Sequence, residues 1–447
     1  MTDRPCGREL VLDMLMEVIE GNGYSHKVLA DTLKRHQQLD KQERAFITRL
    51  FIGTVKIYMR LDYIIDQFSS LPVRRMKPQI RCILREGAYQ ILYMEQVPHS
   101  ATCNEAVKLT KRRGFYQLSG FVNAILRNIA RNAGRIQFPD PAKNPKEYLS
   151  VYYSCPIWLA SMLADRYGYD NARAMLASSL QERQTSIRCN TGKLSPERLK
   201  ALLRQEGVTV EESPYLDYAF KIKNYDYLEK LDSFKAGYFI VQDVSSMLVC
   251  HIAGIKEGDL VLDVCAAPGG KALHAAQTAS KVYARDISDY KIGLIEENIR
   301  RLGCGNVETQ LWDATVPDER LAGRLDLVIA DLPCSGLGVI GKKADIKYKL
   351  TREQIDGLIE LQRKILKVAA GYLKPGGILL YSTCTVNPDE NTGVREWFLD
   401  NFDFEAVSIY EALPATLRTD TAKEGYLQLI QGMYDTDGFF ISKFRKK

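Results

Sequence analysis

The sequence predicts a multi-domain chain in three parts: an all-α domain over residues 1–140, linker helices with a small α+β lobe of RRM-like pattern over 141–240, and an α/β domain with a doubly wound parallel sheet over 241–447. Three observations predict this. Apolar residues recur at helical spacing, without strand signals, from 7 to 134. Three prolines fall in "GRIQFPDPAKNPKEY" (134–148), a break between segments. From 259 onward strand and helix patterns alternate, as βα units do.

In the first part, helical periods run through "RELVLDMLMEVI", "KVLADTLKRH", "KQERAFITRLFIGTVKIYMRLDYIIDQFS", "PQIRCILREGAYQILYM" and "HSATCNEAVKLTKRR". Residues 148–180 read as helix again. The α+β lobe follows as strand "TSIRCNT", helix "SPERLKALLRQEG" with Ser195 as N-cap, strands "VTVEES" and "YAFKIKN", helix "YDYLEKL" and strand "YFIVQD". The parallel strands are "LVLDVCA", "KVYARDI", "VETQLWD", "LDLVIADLP" and "GILLYSTCT", with helices starting near 270, 288, 351 and 388. "FEAVSI" and "GFFISKFRK" add two late strands, and there are no internal repeats.

Charge is uneven. Residues 1–140 hold 22 Lys/Arg against 14 Asp/Glu, whereas the remainder holds 39 against 41. A basic first third on a near-neutral remainder suits a polyanion-binding module. No apolar run approaches a bilayer span, and "MTDRPCGREL" lacks the core of a secretion signal, so a cytoplasmic protein is expected. Ten cysteines are scattered without C-x-x-C or zinc spacing, which predicts reduced thiols and no metal.

"LDVCAAPGGKALHAA" (262–276) reads as strand, small-residue loop and helix, the place where α/β sheets bind ligands. It is neither a dinucleotide fingerprint nor a P-loop. Asp286 ends the next strand, where its carboxylate suits two ribose hydroxyls; Asp313 ends the one after, near an adenine amino group. A small-residue loop plus strand-end acids suits an adenosine without phosphates, S-adenosylmethionine. The expected cofactor residues are Cys265, Ala266, Ala267, Pro268, Gly269, Gly270, Lys271, Asp286, Asp313 and Asp331.

Cys334 in "DLPCSGLG" and Cys384 in "YSTCTVNPDEN" lie at the carboxyl ends of two predicted neighbouring strands. Carbon 5 of a pyrimidine is too weak a nucleophile to attack a methyl sulfonium. A thiolate adding to carbon 6 makes carbon 5 enamine-like, and a second thiol can help resolve the adduct. Asp331 is placed to hold the base edge. Lys271 opens the helix after the loop, where it lowers a thiol pKa or contacts substrate.

"DVCAAPGGK", "DLPCSGLG" and "YSTCT.NPDEN", in that order, resemble the RNA cytosine-5 methyltransferases. "FKAGYFIVQDVSSML" resembles the motif preceding them, and "DGFFISKFRK" the terminal strand. The resemblance implies Cys384 as nucleophile and Cys334 as the release residue. "RELVLDMLMEVIEGNGYSHKVL" and the basic helices after it look like the NusB RNA-binding fold. This layout resembles the bacterial RsmB (Sun) family of 16S ribosomal RNA methyltransferases over nearly the whole chain. It implies a Rossmann-like catalytic domain, methylation at carbon 5 of a cytosine (cytosine 967), and a monomer acting on 16S ribosomal RNA, free or in a partly assembled small subunit. One stretch departs from the family pattern. "GVIGKKADIKYK" (338–349) has lysines and Ala344 where arginines and a proline are usual, and Tyr348 where tryptophan is common.

Three rivals fit the motifs less well. A DNA cytosine-5 enzyme would carry Glu-Asn-Val, which is absent, and would leave "TCT" idle. An amino-methyltransferase would carry Asp/Asn-Pro-Pro-Tyr in place of "DLPC". A non-catalytic assembly factor would have no reason to keep Asp286, Asp313, Asp331, Cys334 and Cys384 together. A transfer RNA or a 23S ribosomal RNA target remains an alternative at the level of sequence.

Overall fold

The computed structural model describes residues 7–447, so Cys6 and the opening stretch that bears on secretion lie outside the described residues. The chain divides into two compact units: the chain up to Gln181 together with Ile340–Lys349, and residues 182–339 with 350–447.

The first unit is helical. Helices Gly7–Leu15, Ser25–Arg35, Lys41–Phe68, Pro78–Tyr93, His99–Arg112 and Ser119–Asn132 are followed by Pro145–Tyr152, Ile157–Tyr167 and Tyr169–Leu180. Their apolar stripes meet in one core that includes Leu12, Phe51, Leu61, Leu84 and Leu126. Asp40 and Glu43 form a reciprocal capping box that starts the long third helix. The sequence reads that helix as continuous, but it breaks at Ile57 (φ −131°, ψ 24°). The groups around the break find other partners. Ser154 Oγ accepts from the Met59 and Arg60 amides at 3.1 and 3.3 Å. The Lys56 carbonyl accepts from Lys347 Nζ at 3.0 Å and Tyr348 OH at 2.8 Å.

A buried ion cluster joins three segments of this unit. Arg85 donates to both oxygens of Asp62 (2.7 and 2.8 Å) and to Glu20 (3.1 Å), and its guanidinium lies 5.1 Å from the Tyr58 ring centre. Burial pushes the Asp62 carboxyl up.

The second unit holds two sheets. The smaller contains β1 (Thr185–Cys189), β2 (Thr209–Glu212), β3 (Ala219–Lys223) and β4 (Phe239–Val241) in the order β2-β3-β1-β4. Each paired strand in it runs antiparallel to its neighbour. Ser195 caps helix Pro196–Gln205 as expected. The expected helix "YDYLEKL" is instead a short turn at Leu228–Lys230 and a four-residue helix, Asp232–Lys235. Glu206 restarts the chain there by accepting from the Ser233 amide and hydroxyl, both at 2.9 Å.

The larger sheet contains β5 (Leu260–Asp263), β6 (Lys281–Asp286), β7 (Val307–Leu311), β8 (Leu325–Asp331), β9 (Leu373–Thr383), β10 (Phe404–Ala406), β11 (Tyr426–Leu429) and β12 (Phe439–Lys446). Its order is β10-β12-β9-β8-β5-β6-β7, with β11 on β12. β5 to β9 pair in parallel, whereas β12 runs antiparallel to β9, β10 and β11. The late strands therefore make the sheet mixed, and β11 is a strand that the sequence pattern does not announce. Strand order reverses at β5, which lies between β6 and β8. The helix expected near 388 begins at Thr392, because residues 385–391 are held in a turn by side-chain hydrogen bonds. Among the described residues no helix is long and apolar enough to cross a membrane.

Arg85→Met takes from Asp62 the guanidinium that binds both its oxygens and leaves that carboxylate against a low-dielectric interior, while Glu20 keeps its pair with Arg81. The expected loss is about 3–5 kcal/mol of stability, read by urea denaturation at pH 7. A loss under about 1 kcal/mol would mean that the cluster is solvated like a surface pair.

Candidate active site

The reversal of strand order leaves a crevice at the carboxyl ends of β5 and β8. A cavity of about 170 Å³ opens there. It is lined by Val241, Gln242, Asp243 and Ser246, by Asp263, by the loop Cys265–Pro268 with Gly270 and Lys271, and by Asp331.

The loop is fixed from several sides. Ala266 donates its amide to Arg285 O at 2.8 Å, and Ala267 donates its amide to Asp286 Oδ2 at 3.0 Å. Gly269 sits at φ +104°, where an L side chain is strained. The buried Arg188 on β1 donates to Gly270 O at 2.9 Å. Lys271 is buried, pairs with Asp331, and donates to Ser246 Oγ at 2.8 Å. Burial alone would pull the Lys271 ammonium down; the carboxylates of Asp331 and Asp263 outweigh it and hold its pKa up. Burial pushes the Asp263 carboxyl up to about 7.

The expected cofactor acids occupy different settings. Asp286 is buried, and its Oδ1 accepts from the Ile287 amide (2.8 Å) and Lys291 Nζ (2.9 Å). It grips the loop and is not among the residues lining the cavity. β7 ends at Leu311, so Asp313 lies in the turn beyond it, exposed. Hydrogen bonds from the Thr315 amide (2.9 Å) and hydroxyl (2.7 Å) hold its carboxyl below the usual range. Asp331 lines the cavity and accepts from Ser382 Oγ at 2.8 Å.

The two cysteines come together. β8 and β9 are adjacent and in register, Asp331 opposite Ser382, so the residues that follow each strand end are neighbours. Cys334 Sγ lies 3.3 Å from Cys384 Sγ. Both are half-buried. Gly338 seals the loop after Cys334 against the other one: its amide donates to Cys384 O at 3.0 Å, and a Cβ there would lie 1.9 Å from Gly438 O. The hydrogen bond with Cys384, burial and nearby negative charge push the Cys334 thiol well above its ordinary value. Burial likewise pushes the Cys265 thiol up, which marks it as a wall of the cavity rather than a reactive thiol. Among the described residues, no group of three or more His, Cys, Asp or Glu is set to hold a metal ion.

Gln242, Asp243, Ser246 and Asp263 also line the cavity, although the sequence does not single them out. The first three lie in "FKAGYFIVQDVSSML", so the signal was present as a motif but not as individual contacts. Gln242 Oε1 is buried beside the cavity with no hydrogen-bond partner among the described residues, and the lining sets three carboxyl groups, Asp243, Asp263 and Asp331, against the one ammonium of Lys271.

Comparisons with known proteins agree with this geometry. The family model described as 16S rRNA methyltransferase RsmB/F matches residues 251–445; that of the NusB family matches 7–131; that of a ferredoxin-like domain of RsmF/B-like methyltransferases matches 155–226. A Bacillus subtilis (strain 168) protein named "Probable ribosomal RNA small subunit methyltransferase B" is 34% identical over 446 residues, 98% of each chain. The ribosomal RNA small subunit methyltransferase B of Pasteurella multocida is 29% identical, covering 98% of this chain and 96% of its own. Of solved structures, that of PH0851 superposes with a TM-score of 0.82 at 25% identity over all of both chains. A methyltransferase homologue from Pyrococcus horikoshii gives 0.56 at 26% identity, covering 69% of this chain and 100% of its own. The loop, the paired strand ends and this full-length similarity make one assignment: the chain belongs to the RsmB/F family of S-adenosylmethionine-dependent ribosomal RNA methyltransferases.

Proposed function

We propose that this enzyme methylates carbon 5 of a cytosine in 16S ribosomal RNA, cytosine 967, through a covalent bond between Cys384 and carbon 6 of the base. The observation that carries the reading is the 3.3 Å separation of two thiols beside the cofactor cavity. Two adjacent thiols suit reversible addition to a pyrimidine better than attack by an amine or hydroxyl. Cys384 is taken as the attacking group because it stands in the Thr-Cys motif, which is the nucleophile's place in the family that the sequence resembles.

Cys384 sulfur, as thiolate, bonds to carbon 6, and negative charge passes to carbon 5 and the N3 edge. S-adenosylmethionine supplies an electrophilic methyl group. The neutral adduct must then lose the proton on carbon 5, re-form the ring double bond and break the sulfur–carbon bond, whose electron pair leaves with Cys384. Cys334, still carrying its proton, gives that proton to the departing sulfur and receives the one from carbon 5. Both cysteines end as thiols, and the one proton that the methylation releases passes to solvent when Cys384 is ionised for the next turn. Asp331, fixed by Lys271 and Ser382, is the group assigned to the base edge; Lys271 acts through Asp331. Cys265, Ala266, Ala267, Pro268, Gly269 and Gly270 form the cofactor cradle, with Asp286 and Asp313 assigned to its ribose and adenine.

Residues 1–140 are assigned to RNA capture, in a monomer of the cytoplasm acting on free RNA or a partly assembled small subunit. Arg74, Arg75, Lys77, Lys111 and Arg112 are exposed. Arg113, by contrast, is half-buried against Asp13 at 2.7 Å and Glu9 at 3.5 Å, which makes it structural.

Asp286→Ala is expected to weaken cofactor binding by about 1.5–3 kcal/mol in calorimetry, and parent-like affinity would remove Asp286 from the cradle. Neutralising Arg74, Arg75 and Lys111 in the full chain is expected to lower the slope of log affinity for RNA against log salt, by roughly 0.7–0.9 for every phosphate that the variant no longer neutralises. An unchanged slope would make that face a solvated surface. For the cysteines, one denaturing gel with radiolabelled RNA suffices. Cys384→Ala is expected to form no adduct and no product, whereas Cys334→Ala accumulates an adduct. The reverse pattern would assign the attack to Cys334.

A further inference from the structure

Beneath the two thiols lies a buried polar cluster centred on Glu390, a residue that the chemistry above does not use. Glu390 is fully buried. Its Oε1 accepts from the Ser335 amide (2.8 Å) and Gln362 Nε2 (3.2 Å). Its Oε2 accepts from the Ser335 hydroxyl and from Asn387 Nδ2 (3.1 Å). Ser335 and Thr385 hydroxyls are 2.6 Å apart. The Tyr381 hydroxyl donates to the Glu390 main-chain carbonyl.

These contacts have a direction. Ser335 follows Cys334, and Thr385 follows Cys384. One carboxylate therefore joins the residues next to both thiols, from a turn that comes after the second. The groups that donate to it include a main-chain N–H and two side-chain NH₂ groups, none of which can accept a proton. An ionised carboxylate satisfies all of them: burial pushes the Glu390 carboxyl up, and the hydrogen bonds from Ser335, Asn387 and Gln362 oppose that shift. Such fully paired buried networks fix geometry more than they add stability.

We propose that Glu390 is a positioning residue for the two-thiol chemistry: its carboxylate clamps the Cys334 loop onto the Cys384 loop and keeps Cys334 in the role of proton carrier. This rests on the assignment of roles made above. The charged and titratable groups facing Cys334 are Cys384, Glu390 and, on β9, Tyr381. The Glu390 charge adds to the contact with Cys384 and to burial in holding the Cys334 proton in place. Without the clamp, addition at Cys384 can proceed, but the proton exchange that releases product loses its carrier. The effect of Glu390 passes through Ser335 and through its charge.

The test uses the full-length enzyme as Glu390→Gln, beside parent, Cys334→Ala and Cys384→Ala. Cofactor calorimetry first shows whether the variant folds. With radiolabelled RNA, Glu390→Gln is expected to release product about tenfold more slowly and to accumulate an adduct, as loss of a buried hydrogen bond to a charged group predicts. Iodoacetamide labelling without RNA, resolved by peptide mass spectrometry, is expected to bring the pH midpoint of Cys334 labelling down toward the ordinary thiol range. A purely packing role would move neither readout in this way. A missing adduct or an unmoved Cys334 midpoint overturns the proposal. If Glu390→Gln does not fold, Ser335→Ala keeps the charge but cuts the hydroxyl link; it is expected to accumulate adduct, and release at the parent rate overturns the clamp. An adduct in the Cys384→Ala lane would refute the assignment of roles, while the labelling still reports on Glu390 alone.

Discussion

The site depends on the parallel pairing of β8 with β9. The two strands lie side by side with Asp331 opposite Ser382, and each then runs two or three residues further to a cysteine. A slip of two residues in that register would displace one thiol by roughly 6–7 Å and end their contact. The pairing is guarded from the far side. β12 runs antiparallel along β9 from Ile378 to Thr383, so β9 is held on both edges. The antiparallel end of the sheet, far from being an appendage, fixes the strand that carries the nucleophile assigned above.

The same junction explains the electrostatics of the cofactor cavity. Asp263 ends β5 and Asp331 ends β8, so the crossover at the reversal of strand order brings two carboxylates to one place. Lys271 is the cation that stands with them in the lining. Burying that excess negative charge is costly, and the raised pKa of Asp263 records the cost. The lining thus gathers the carboxyl groups of Asp243, Asp263 and Asp331 around the single ammonium of Lys271.

What the sequence made legible follows from how local each signal is. The loop 265–271 and the two cysteines stand in short motifs attached to strands whose apolar runs are strong, so both their element and their end were readable. Asp286 was located correctly at a strand end, yet its grip on the Ala267 amide depends on a contact across nineteen positions that no local pattern encodes. The break at Ile57 was invisible for the same reason. The segment Lys41–Phe68 has unbroken helical periodicity, and the groups that satisfy the break, Ser154, Lys347 and Tyr348, lie far along the chain. β11 escaped because "YLQL" is four residues long and its strand character comes from pairing with β12.

The stretch that departs from the family pattern shows how such long-range demands choose residues. Ile340–Lys349 belongs to the helical unit although its sequence neighbours belong to the other. Lys347 is buried, and burial pulls its ammonium down to about 8. It survives there because it donates to two main-chain carbonyls, Lys56 O and Tyr153 O, at 3.0 and 3.2 Å. Tyr348, in place of the common tryptophan, has a hydroxyl that both gives and receives. It donates to Lys56 O and lies 2.8 Å from Ser154 Oγ, itself the acceptor for the Met59 and Arg60 amides just past the break. An indole N–H donates only, so it could serve one of these partners but not close the circuit. The tyrosine and the lysine are therefore matched to the broken helix of the unit they complete.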